Sequence, residues 1–337
     1  MEAVSPYWFI RLDRLWRFGR IWLGILVFLI LTLLFAAMFG IMGNTDNTEE
    51  AQALLGICLF FASINATALV GTMAIIERSQ LTIDQLKPLL GTDTERFAAI
   101  RAALSGAPRK WLWSVTFISL AAGLLHTLTV NSANAAANFN VPSAGASLGT
   151  MLTWFIQLHA IAALVRTAHL YTQLGREDIT LDVLRPEQLA PFGRQALLPS
   201  LLLMGTQLYY PLLSLNGQFN AYATLPGFVL TLLSAIYLLL RPIWPVHVHM
   251  REAKASLLAS TEAGIARWRE DNPDRNFTGS ATGNLVTILT FRNHVRALPE
   301  WPLNLGLVGR WLFYIVIPPL TWAMAALMEN SINAFLG

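Results

Sequence analysis

Seven apolar stretches mark this chain, at approximately Ile21–Met42, Leu54–Ile76, Trp111–Val130, Gly149–Leu170, Leu197–Leu215, Tyr222–Leu240 and Trp311–Met328. Each is about as long as the ~20 residues an α-helix needs to cross a bilayer core. Between them the polar segments alternate in length. The first, third and fifth connections, roughly Gly43–Glu50, Asn131–Ser147 and Asn216–Ala221, are too short to hold a folded domain, whereas the sixth runs from Arg241 to Arg310.

Periodicity continues into the polar segments. Tyr7–Arg20 reads as an amphipathic arm ahead of the first span, which is too long for the apolar core of a removable signal peptide. Thr92-x-x-Glu95 is a capping box opening a short surface helix with the stripe Phe97, Ile100, Leu104, stopped by Gly106 and Pro108. Val246–Glu270 continues the sixth span as a helix whose seam includes Met250, Leu257, Ile265 and Trp268, and Asn284–Leu298 returns as a second amphipathic helix. The pair forms a helical hairpin, open to two readings: packing against the other loops, or contact between protomers through Met250, Leu257 and Trp268.

Charge orients these elements. All 23 Lys and Arg residues fall in the N-terminal arm and in the second, fourth and sixth connections, counting Arg166 at the end of the fourth span with the fourth connection; the other four segments have none. Basic residues stay on the cytoplasmic side during insertion. The expected fold is therefore an all-α membrane protein with seven transmembrane helices, N-terminus in and C-terminus out, in a prokaryotic inner membrane. Its parts are a cytoplasmic arm (1–20), a six-helix region (21–240), a cytoplasmic helical anchor (241–310) and the seventh helix with an outer tail (311–337). The inner side carries 16 of the 20 acidic residues and a net charge near +7. That suits anionic lipid headgroups, and basic residues scattered among loops do not suit nucleic acid. Eight of the 11 tryptophans (Trp8, Trp16, Trp22, Trp111, Trp113, Trp244, Trp301 and Trp311) fall near inner span ends, as an interfacial belt requires. A composition 55% hydrophobic and 13% charged agrees with the membrane class.

An internal repeat links two inner connections. Leu81-Thr82-Ile83-Asp84-Gln85-Leu86-Lys87-Pro88 matches Ile179-Thr180-Leu181-Asp182-Val183-Leu184-Arg185-Pro186. Each copy sits between an inward and an outward span, so about 54–130 and 149–215 read as parallel helix-hairpin repeats. Thr82, Asp84, Thr180 and Asp182 are placed to cap short interfacial helices, and Pro88 and Pro186 to stop or start them.

Candidate chemistry is sparse. Asn65, His159, Gln207 and Thr321 lie near the midpoints of four different spans. Polar groups at that depth face other helices or a wet cavity: they either tie helices together or ring a pathway. His159 is the strongest pathway candidate, because imidazole ionises in the physiological range. No carboxylate sits at that depth, which argues against a proton carrier of the acidic-relay type. Pro199, Gly205 and Pro211 interrupt the fifth span and Pro318-Pro319 the seventh, and freed backbone carbonyls suit a cavity lining. Gly145-Ala146-Ser147-Leu148-Gly149 has the spacing of a serine nucleophile elbow, but that elbow joins a strand to a helix; here Ser147 is expected to cap the fourth span. His247 and His249 with Glu252 are poorly spaced for a metal on a helix, the single Cys58 excludes a cysteine cluster, and no cofactor motif is present. With every lysine outside the spans, a retinal Schiff base is excluded.

The run Ile179–Gln195, Pro245-Val246-His247 after the sixth span and Glu300-Trp301-Pro302 before the seventh resemble segments of uncharacterised prokaryotic polytopic membrane proteins with seven helices. In topology alone the chain is similar to the insect gustatory and odorant receptor channels, tetramers with the seventh helix around the pore. The resemblance implies a homo-oligomeric channel or transport-type protein whose pathway is lined by the seventh helix and the midplane polar residues. A second reading is a scaffold or sensor whose inner loops bind a partner or lipid, and a distant third an intramembrane hydrolase using Ser147. The topology has a direct check. A periplasm-active reporter fused after Gly337 should be active and a cytoplasm-active one silent; the reverse pattern refutes the seven-span orientation.

Overall fold

In the computed structural model the described residues are 4–41, 48–89, 94–135, 141–176, 185–214, 221–271, 280–301 and six positions between 309 and 320. The helices are α1 (Trp8–Leu15), α2 (Arg20–Met38), α3 (Thr48–Leu86), α4 (Thr94–Ala103), α5 (Arg109–Ala135), α6 (Val141–Arg176), α7 (Ala190–Thr206), α8 (Ala221–Asp271) and α9 (Ser280–Ala297). Six of them, α2, α3, α5, α6, α7 and α8, are long and apolar enough to cross a membrane. The fold is that of an all-helical, multi-pass membrane protein. Most of the stretch assigned to a seventh span, with Pro318, Pro319 and Thr321, lies outside the described residues, as do Thr180 and Asp182.

The six long helices divide into a core and a periphery. In α3, α6, α7 and α8 between 44% and 56% of the apolar window is buried, against 17% in α2 and 11% in α5. Accordingly α2 packs along α3 and α5 along α6, while α3, α6, α7 and α8 pack against one another. The outward faces of α2 and α5 present Leu33, Phe117 and Leu125, as a lipid-facing surface would. Trp22, Trp113 and Trp244 are well exposed at the end of the bundle that carries the basic residues, hereafter the basic end.

α8 is one continuous helix of 51 residues, about 76 Å at 1.5 Å per residue. It therefore extends well beyond the length a bilayer needs, as the helical pattern implied. Pro242 and Pro245 lie inside it. Pro245 has no N–H for the carbonyl of Arg241 four residues back; that oxygen lies 3.0 Å from Thr172 Oγ1 on α6, whose hydroxyl is shared with Ala168 O at 2.8 Å. α9 folds back on α8, with Ile265 and Val295 buried. The return of the chain is clamped: Lys254 Nζ donates to Leu298 O at 2.9 Å, His247 Nδ1 to Glu300 O at 2.7 Å, and the Trp301 ring stacks on His247 at 3.8 Å.

At the basic end, Ile83, Leu86, Phe97, Leu104, Phe192 and Met250 share one buried cluster. Met250 is 2% exposed. This corrects its assignment to a protomer contact, since the membrane-proximal seam is consumed by packing within the chain; Leu257 and Trp268 further along remain half-buried.

Two local expectations change. The repeat motif forms no capped surface helix in its first copy: Thr82 and Asp84 belong to the last turns of α3, and the helix stops in a 3-10 turn, Lys87–Leu89, that contains Pro88. Thr82 is buried, and Asp84 accepts from Arg101 Nε and Nη2 at 2.8 and 3.0 Å, tying α4 to α3. In the second copy Pro186 also opens a 3-10 turn, Pro186–Leu189. The all-α expectation also needs one amendment. Val4–Pro6 (β1) and Gly106–Pro108 (β2) pair antiparallel, Ser5 opposite Ala107. Three-residue strands carry too little periodicity to be read in a sequence.

That ribbon anchors the arm. Gly106 lies so close to the Ser5 carbonyl that any Cβ there would collide with backbone. Tyr7 is buried, and burial pushes its phenol well above the ordinary value, with the Arg166 charge pulling weakly back. α1 then buries Phe9 and Ile10, Gly19 turns the chain at φ 88°, and Arg20 bridges Asp13 (2.6 Å) and Glu77. Gly106→Val should therefore release the arm at a cost of about 1–3 kcal/mol. Hydrogen exchange of residues 5–15 should rise sharply while the protection of α3 and α6 is unchanged; an arm that stays protected would show that the ribbon does not hold it.

Candidate intramembrane site

Of the polar residues predicted near mid-span, Asn65, His159 and Gln207 are described and each has its own surroundings; Thr321 lies outside the described residues. Asn65 on α3 is fully buried; its Nδ2 donates to Thr153 Oγ1 on α6 at 3.0 Å and to Phe61 O at 2.8 Å. His159 lies six residues further along α6 than Thr153, about 9 Å nearer the basic end. There Nδ1 donates to Phe155 O at 2.8 Å, and Nε2 lies 3.1 Å from Thr116 Oγ1 on α5. The ring also packs on Phe155 and against the edge of Trp8 from the arm. A neutral imidazole protonated on Nδ1 is thus fully partnered. It ties α5, α6 and α1 together, whereas a pathway-lining group would have a free edge. Gln207 is buried where α7 loosens into the 3-10 turn Gln207–Ser214; its Nε2 is 3.3 Å from Thr206 Oγ1, and its Oε1 has no partner.

Ser147 is neither a nucleophile elbow nor a helix cap. α6 begins at Val141, and Ser147 Oγ donates to Ser143 O at 2.8 Å inside it. The flanking glycines explain the motif: a Cβ at Gly149 would collide with the Phe61 ring, and one at Gly145 would sit 3.1 Å from Met38 Cβ. The motif is a close-packing stripe of α6 against α3 and α2.

That stripe leads into a cavity of about 220 Å³ at the end of the bundle opposite the basic one. α6 contributes Thr150, Thr153, Trp154 and Gln157, one helical face by their spacing. α3 supplies Ile57, Phe60, Phe61 and Ile64; α5 supplies His126; the 3-10 turn supplies Tyr210; and α8 supplies Leu230 and Thr231. Among the described residues, no Lys, Arg, Asp or Glu lines it. The polar groups are an amide, hydroxyls, an imidazole and an indole, set in an apolar wall. His126 lies over Trp154 with ring centroids 5.6 Å apart.

One residue in this lining is unusual. Gln157 is 8% exposed, yet neither end of its amide has a hydrogen-bond partner. Leaving such a group unpaired in an apolar setting costs about 1–3 kcal/mol per polar end. Asn65 Oδ1, on the amide bonded to the lining residue Thr153, is likewise buried and unpartnered. Sequence position alone did not single out Gln157, because it lies one turn from the cavity's small residues and close to the more conspicuous His159. The only available signal was its i+4 spacing from Thr153.

Fold and site together define a multi-pass helical membrane protein with a neutral, amide-bearing cavity inside the bundle. Compared with protein-family models, curated proteins and solved structures, the chain matches none of them.

If His159 is a helix tie, it and Thr116 are energetically coupled. Thr116→Val and His159→Leu should each destabilise the detergent-solubilised protein, and the double variant should recover a coupling of about 0.6–1.7 kcal/mol. Strict additivity in denaturant titrations refutes the tie.

Proposed function

We propose that this protein is a transport-type protein of a prokaryotic inner membrane that takes a small, uncharged, largely apolar molecule into the cavity between α3, α5, α6 and α8. The observation carrying this reading is the buried, unpartnered amide of Gln157 in a lining free of ionic groups. An apolar pocket with a few convergent polar groups is the form small-molecule sites take. The amide offers one donor and one acceptor side, so it suits a solute with a hydroxyl, carbonyl or amide on an apolar body. The absence of charged lining residues favours such a solute over an inorganic ion.

The wider setting belongs to the same proposal. Seven spans with the basic end in the cytoplasm are supported by the one-sided placement of Lys and Arg. The cavity would then open from the outer half of the bilayer, and the seventh span, with Pro318, Pro319 and Thr321, would complete the pathway wall. The assembly we propose is a homo-oligomer meeting through α8 beyond Met250, at Leu257 and Trp268.

Gln157→Leu separates a binding amide from a structural one. Substituting an unpartnered buried amide with an apolar residue of similar size should leave stability unchanged or raise it by up to about 1 kcal/mol. It should also lower the quenching of tryptophan fluorescence by acrylamide, a small neutral amide that quenches indole, by the share that a Trp154→Phe variant removes. A variant that unfolds more easily yet quenches normally would place Gln157 in the packing and end the proposal.

A further inference from the structure

A second cavity, also about 220 Å³, lies at the basic end, between the last turns of α6 and the middle of α8. Its lining includes Thr172 and Arg176 from α6 and Arg241, Trp244, Pro245 and His249 from α8. None of the described lining residues is acidic. Among the described residues neither Arg176 nor Arg241 takes part in an ion pair, and the buried Nε of Arg241 has no acceptor. Thr172 does not fill that need: its hydroxyl proton faces the Ala168 and Arg241 carbonyls, and no bond from Arg241 Nε reaches it. The cationic character extends along α6: the charges that reach His169 are those of Arg241, Arg176 and Arg166.

We infer that this cavity binds the phosphate group of an anionic phospholipid. Two guanidinium groups facing one pocket are suited to a phosphate, which each can engage through paired N–H donors. The buried Arg241 Nε would thereby gain the acceptor it lacks. Trp244 marks the depth. It is 56% exposed, beside Trp301 at a ring distance of 6.3 Å, and an indole so placed sits at headgroup level. Pro245 and Val248 give the same cavity an apolar side against which the glycerol and upper acyl chain can lie. The pocket is also built on a backbone irregularity: Pro245 frees the Arg241 carbonyl, and Thr172 holds it, fixing α8 against α6 at the site. A phospholipid here would act as a third element bridging the two helices. This inference is independent of the solute cavity, which lies at the opposite end of the bundle.

The test uses the full-length protein purified in detergent, with short-chain phosphatidylglycerol, short-chain phosphatidylcholine and inorganic phosphate as three separate probes. Native mass spectrometry and thermal unfolding read the outcome. Phosphatidylglycerol should be retained and should raise the unfolding temperature at concentrations where phosphatidylcholine does neither. Arg176→Gln, at the exposed end of α6, and Arg241→Gln should each weaken the phosphatidylglycerol effect by roughly tenfold. Arg241→Lys should give an intermediate loss, because it keeps the charge but not the fork. Arg101→Gln, removing a surface arginine that pairs with Asp84, should change nothing. Equal effects of the two lipids, or a phosphatidylglycerol effect untouched by all three substitutions at Arg176 and Arg241, overturn the inference. Stabilisation by inorganic phosphate equal to that by phosphatidylglycerol shows an adventitious anion site and also overturns it.

Discussion

In hydrocarbon a polar group has no water to fall back on, so those inside this bundle bond to a carbonyl of their own helix or to a group on another. The tertiary structure follows from where those partners are. Tyr171 on α6 donates to Ser79 O on α3 at 2.6 Å, and Ser79 Oγ lies 2.8 Å from Gln195 Oε1 on α7, binding three helices at one point. Thr172 meets α8 at the carbonyl that Pro245 leaves open. Thr67 reaches Tyr209 at 2.8 Å, Asn65 reaches Thr153, and His159 reaches Thr116. Such ties are individually modest in membranes, about 0.6 kcal/mol on average. Their value is directional, because they set which face of each helix looks inward when lipid and core are equally apolar.

The exceptions stand out against that pattern. Gln157 is unpartnered at both amide ends, Asn65 and Gln207 at their oxygens, and Arg241 at Nε. Two of these four groups, Gln157 and Arg241, line cavities. Unmet hydrogen-bonding capacity thus faces space at each end of the bundle, and some also remains between the two cavities, at Thr72 Oγ1 and Gln195 Nε2. The two sites differ in chemistry as their surroundings do. One is uncharged and walled by aromatic and aliphatic side chains; the other is cationic and flanked by an interfacial tryptophan.

The basic end is also the more elaborately fastened one. The N-terminal arm is held by the β1–β2 ribbon, by the burial of Tyr7 and Phe9, and by Arg20 between Asp13 and Glu77. The α8–α9 hairpin is locked by His247, Lys254 and Trp301. The connections at the basic end are thereby packed onto the helices they join, and Met250 is core.

Hydropathy and charge by themselves determined the membrane class, the positions of six long helices, the extension of the sixth beyond the bilayer and the side on which the basic residues collect. These are properties of single helices and of a segment's preference for hydrocarbon or water, so a local reading suffices. Rotation and pairing were decided only by the tertiary structure. His159 and Gln157 lie two residues apart on one helix, yet one is turned onto α5 and the arm, the other into a cavity. The G-x-S-x-G spacing became a packing stripe, the Thr-x-Asp elbow a salt bridge to α4, and Gly106 part of a strand. Each outcome depends on which atoms of distant segments approach a given helix face, and in a chain so uniformly apolar those encounters leave no periodic trace in the sequence.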